Sequence, residues 1–235
     1  MARNTNLKYI LFMTYTEIKG TIQAQANAEK ALLQTRFFKT KKGQYAYGDI
    51  FIGVSNPQLH VLAKKYKNAS LDTIALLLQD AFHEVRVLAL FILVLQFEKG
   101  DMALQKDIYT LYLRYINFVN NWDLVDCSAP KIIGAYLIDK DKKTLYQLSK
   151  SNDLWQERIA IVATLFFIRK GIYEPTINIA ISYLNHKHDL IHKATGWMLR
   201  EIGKKNEALL INFLEQYQNN MPRTMYRYAI EKLKK

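Results

Sequence analysis

DAFHEVRVLALFILV at residues 80–94, NDLWQERIAIVATLFFI at 152–168 and HDLIHKATGWMLREIG at 188–203 share one design. Each opens on an acidic or polar residue suited to capping a helix N-terminus. Each places a basic residue about one turn later and then runs into an apolar face. The apolar residues recur at helical spacing, and the runs are too long for single strands. The three stretches therefore predict helices that return, each with a partner helix between, at about 35–40 residues per pair.

The same periodicity extends outward in both directions. Candidate helices cover 6–19, 21–39, 56–67, 71–79, 81–98, 102–119, 122–138, 142–150, 153–169, 174–184, 188–203, 205–218 and 222–234. Ser70, Asp153 and Asp189 stand where N-caps belong. Pro57, Pro175 and Pro222 fall in first turns, where a missing N–H is harmless. Gly100, Gly171 and Gly203 close helices. The stretch KTKKGQYAYGDIFIGVSNP at 39–57 lacks helical period and predicts an ordered loop. No linker divides the chain. The expectation is an all-α fold, a single domain over 1–235. It has N-terminal helices and the loop in 1–55 and stacked helical pairs in 56–235, a curved array of HEAT-like repeats with a basic concave face. Because the repeats are degenerate, an irregular helical bundle is the competing reading.

Composition narrows the function. Lys and Arg number 33 against 21 Asp and Glu, a formal charge of +12, which suits a polyanionic partner. Gly (9) and Pro (4) are too scarce for an all-β fold rich in turns. The single cysteine, Cys127, excludes an internal disulfide framework and fits a reducing, cytoplasmic setting. The N-terminal residues lack a signal-peptide layout. The longest apolar run, VLALFILVLQF at 87–97, is short of the roughly 20 residues a membrane span needs.

NNWDLVDCSAP at 120–130 carries the first candidate chemistry. Trp122 and Asp126 are four apart and share a helix face. Pro130 denies the Asp126 carbonyl its usual helical donor, so a kink or open backbone is expected there. In LWQERIAIVATLF, Arg158 lies in line with Leu154 and Leu165 on an apolar stripe. A buried arginine needs a carboxylate or phosphate, so Arg158 reads either as an internal ion pair with Glu157 or Asp153, or as a group aimed at Asp126 or a ligand. In the third repeat, Ile191, Ala194, Met198 and Ile202 mark the core face. Lys193, Trp197 and Arg200 fall opposite, an indole between two cations, with Gly196 leaving room for another group. Arg223 and Arg227 make a basic i, i+4 pair near the C-terminus, suited to phosphate or simply solvated. His188 and His192 have zinc-compatible spacing, but no further ligand cluster accompanies them, so capping or solvated roles are favoured. No phosphate-binding glycine loop or nucleophile motif is present.

These segments resemble the DNA alkylation repair proteins, the AlkD-type alkylpurine DNA glycosylases. The likeness runs from FFKTKKGQYAYGDIFIGVSNP through HEVRVLALFILVLQFEKG, NWDLVDCSAPKIIGAYL and LWQERIAIVATLF to IHKATGWMLREIGKKN and MPRTMYRYAIEKL. The resemblance implies a HEAT-like fold and excision of positively charged N3- or N7-alkylated purines from duplex DNA. It implies Asp126 as the essential carboxylate, with Trp122, Arg158 and Trp197 beside it. Lys193, Arg200, Arg223 and Arg227 are the DNA-contacting candidates. Leu59-His60 stands where relatives often carry a basic residue. The family's route leaves the lesion largely stacked, unlike base-flipping enzymes. A monomer without metal, cofactor or membrane partner is expected. A non-catalytic nucleic-acid-binding repeat protein and a protein-interaction scaffold are the alternatives.

Overall fold

A computed structural model describes residues 14–233. It is all-helical, with one isolated parallel bridge, Ile50 to Phe82, as the β-structure among those residues. The chain forms two compact units, divided between Phe118 and Val119.

The first unit holds α1 (Tyr15–Gln23), α2 (Ala28–Phe37), α3 (Asn56–Lys65), α4 (Leu71–Leu78), α5 (His83–Lys99) and α6 (Met102–Arg114). Its axis is α5, the first repeat phrase, which is buried almost all round and packs against α3, α4 and α6. The expected helices 6–19 and 21–39 are placed differently. Residues 6–13 lie outside the described residues, and α1 runs straight through Gly20. The break falls at 24–27 because Asn27 is doubly engaged. Its side-chain oxygen accepts from the Lys30 N–H at 2.9 Å, and its own N–H donates to the Ile52 carbonyl at 2.8 Å.

The irregular stretch expected at 39–57 is ordered by the repeat helix behind it. Glu84, 1 % exposed, accepts from the N–H groups of Ile52, Gly53 and Val54 at 2.8–3.3 Å. Two residues on, Arg86 donates to Asp49 Oδ1 at 2.6 Å. The cation placed about one turn into the repeat thus tethers the preceding loop.

The second unit holds α7 (Trp122–Ala129), α8 (Lys143–Leu148), α9 (Leu154–Arg169), α10 (Glu174–Ser182), α11 (Asp189–Gly203), α12 (Glu207–Tyr217) and α13 (Arg223–Ile230). Helices α7, α9, α11 and α13 pack in succession, and α8, α10 and α12 lie against them. Such alternation of two helical layers is the arrangement of stacked HEAT-like pairs. The predicted helix 122–138 is interrupted as Pro130 requires: α7 stops at Ala129 and a π-helical turn occupies Pro130–Gly134. That turn presses on α9, and a Cβ on Gly134 would stand 2.2 Å from the Ala163 carbonyl oxygen. Ser70 and Asp153 cap as expected. Asp189 does not: it is the first helical residue of α11, and His188 is the cap. Pro222 is likewise the residue before α13, not within its first turn. No helix among the described residues is long and apolar enough to cross a membrane.

Candidate active site

Helix α7 opens at Asn121, whose side-chain oxygen accepts from the Trp122 N–H at 2.8 Å. This start puts Leu124 and Val125 wholly inside and leaves Trp122 and Asp126, one turn apart, half-buried. The Asp126 side chain is 21 % exposed, so its carboxylate is neither sealed in the core nor fully solvated.

Arg158 on α9, 5 % exposed, comes to it edge-on. Nε donates to Asp126 Oδ1 at 3.1 Å and Nη2 to Oδ2 at 2.8 Å. The remaining nitrogen, Nη1, donates to the Leu190 carbonyl at the start of α11, at 2.6 Å. Three helices therefore converge on one buried cation. Of the roles open to Arg158, the geometry selects the bond to Asp126; Glu157 pairs instead with His186, at 2.9 Å. Burial holds the Asp126 carboxyl above its ordinary range; Arg158 offsets part of that rise, and nearby Asp123 adds a smaller upward push. Both carboxylate oxygens accept from the guanidinium, the arrangement of an ionised acid.

Cys127 is no nucleophile. Burial raises its thiol far above the usual range, and the S–H donates to the Leu124 carbonyl.

Trp197 lies half-buried on α11, its indole N–H donating to Glu201 at 3.2 Å. The core face of this helix is as predicted, with Ile191, Ala194, Met198 and Ile202 fully buried. The space beside Gly196 is filled by the protein itself. A Cβ there would stand 2.4 Å from the Met225 carbonyl oxygen of α13. Lys193 pairs with Asp189 at 2.7 Å, and Arg200 pairs with Glu231. Both candidate cations are thus engaged by carboxylates. Arg223 and Arg227 are exposed along one side of α13. In the first unit Leu59 is fully buried, and His60 stacks face-on over Phe91 with centroids 4.0 Å apart.

The family model for DNA alkylation repair enzymes matches residues 18–233. The chain belongs to the DNA alkylation repair enzyme family. Membership brings a role in DNA alkylation repair, and with it binding to DNA. A solved structure described as a predicted DNA alkylation repair enzyme from Enterococcus faecalis has a similar fold. It has a TM-score of 0.67 at 17 % identity, over 89 % of this chain and 97 % of that one. No curated protein matches the chain. For this family member, the residue that sequence reasoning missed is Leu190, whereas the capping role favoured for the nearby histidines is met by His188 at the start of α11. The Leu190 contribution is a backbone carbonyl, which no side-chain pattern signals. Among the described residues no group of three or more His, Cys, Asp or Glu could hold a metal.

Proposed function

We propose that this family member is a monofunctional DNA glycosylase that hydrolyses the N-glycosidic bond of positively charged N3- or N7-alkylpurines in duplex DNA. The observation that carries the reading is Asp126: an accessible carboxylate held on two points by Arg158, with Trp122 one turn away on the same face. A cationic alkylpurine is a good leaving group without protonation. The C1′–N bond breaks with its electron pair going to the purine nitrogen, which neutralises the base. Positive charge then builds on the deoxyribose as an oxocarbenium-like species. An ionised carboxylate near C1′ stabilises that charge, an effect of about 3–4 kcal/mol in preorganised sites. It also orients the water whose oxygen bonds C1′ and whose proton passes to the carboxylate or to solvent.

Trp122 and Trp197 present aromatic faces to the cationic base and sugar, worth roughly 0.5–2 kcal/mol each. Arg158 orients the carboxylate and leaves DNA contact to others. Arg223 and Arg227 offer exposed cations to the phosphates, with Lys193 and Arg200 contributing from within their ion pairs. The test is base release from randomly methylated duplex, resolved by chromatography. Asp126→Asn is expected to lower release roughly 10²–10³-fold with DNA affinity retained. Wild-type rates in that variant would refute the assignment.

A further inference from the structure

The turn between α10 and α11 is built from histidines acting on its backbone. His186 Nδ1 accepts from the His188 N–H at 3.0 Å, and its Nε2 faces Glu157 Oε2 at 2.9 Å. His188 Nδ1 accepts from the Leu190 N–H at 3.1 Å, capping α11. His192 Nε2 donates to the His186 carbonyl at 2.6 Å. Leu190, whose N–H takes the His188 cap, offers its own carbonyl, one Cα further along the chain, to Arg158 at 2.6 Å. A cap through Nδ1 needs a lone pair on that nitrogen. A proton there would set an N–H against the Leu190 N–H, and the cap would open.

We propose that His188 is a pH-sensitive positioning residue: its neutral ring holds the Leu190 carbonyl against Arg158, and protonation frees Arg158 and, through it, Asp126. The groups around His188 fit this role. Burial, His186, His192 and Arg158 all disfavour its cation, and Asp189 alone favours it. From α9 the facing groups are Glu157, paired to His186, and Arg158, paired to Asp126. The Tyr183 hydroxyl is taken by the Glu157 carbonyl at 3.0 Å. A cavity of about 480 Å³, whose lining includes Glu157, His186, Lys187 and His188, gives solvent protons a way in. The sign follows. The folded protein keeps His188 neutral to lower pH than the unfolded chain does. The cap is therefore intact above about pH 6.5 and is lost as pH falls through the lower folded value.

The effect on activity rests on the glycosylase reading; the effect on Arg158 does not. The experiment compares wild type, His188→Asn and His188→Ala by two readouts. Asparagine supplies a non-titrating cap oxygen. In wild type the NMR resonance of the Arg158 Nε–H should broaden as His188 titrates. In His188→Asn it should stay sharp over the same range. The acid limb of base release should be second order in protons for wild type and first order for His188→Asn. The two rates should agree within about twofold near pH 8. His188→Ala should lose rate, and the sharp resonance, at every pH. An Arg158 resonance and acid limb in His188→Asn that follow wild type, or wild-type behaviour in His188→Ala, overturn the proposal. Wild type that releases no base yet shows the predicted Arg158 titration would sink the glycosylase reading and support the positioning role.

Discussion

Replacing Arg158 with methionine removes the charge that faces Asp126 while keeping much of the side-chain volume. With charge centres about 4 Å apart and an effective dielectric near 20, the lost attraction is about 4 kcal/mol. The carboxylate is 21 % exposed, and water reclaims part of this, but the Asp126 carboxyl is expected to rise further once the guanidinium is gone. Stability should fall by about 3 kcal/mol at neutral pH, the low end for breaking a buried pair. Acid should reverse the loss. The Asp126 pKa in the folded variant then lies above that in folded wild type, which burial already raises, so the deficit is complete above the variant's value and shrinks as pH falls toward the wild-type one. The assay is urea unfolding followed by tryptophan fluorescence at several pH values. Trp122, Trp155 and Trp197 all lie in the second unit, so the signal reports the unit that contains the pair. Adding Asp126→Leu to Arg158→Met should restore most of the stability, because two apolar groups replace two charges. A midpoint for Arg158→Met equal to wild type, or a deficit that ignores pH, would refute the account.

Gly134→Ala should cost roughly 1–3 kcal/mol and lower base release together, since its Cβ meets the Ala163 carbonyl oxygen and shifts the π-turn that follows Asp126; urea unfolding and single-turnover release check both. Glu84→Gln removes the charged acceptor of three loop N–H groups and should destabilise the first unit by about 2 kcal/mol. Hydrogen exchange should speed up at Ile52, Gly53 and Val54, and unchanged protection there would exclude the role. Arg223→Ala combined with Arg227→Ala should reduce the slope of log affinity for DNA against log salt by about two, whatever the sequence of the duplex. A slope equal to that of wild type would mean these arginines face solvent.

The helical class, most helix positions and the break at Pro130 were legible in the sequence because they depend on neighbours three to five residues away. Periodic apolar residues, caps and a missing N–H act at that range. Trp122 and Asp126 sharing a face is equally local. Where the reading slipped, a distant partner decided. Asn27 ends α1 and starts α2 with help from Ile52, and the gap beside Gly196 is closed by α13. The choice of Asp126 over Glu157 or Asp153 as the partner of Arg158 belongs to tertiary structure alone. So does the Leu190 carbonyl that completes the site. A buried guanidinium has five donors fixed in one plane, and only packing between α7, α9 and α11 decides which acceptors reach that plane.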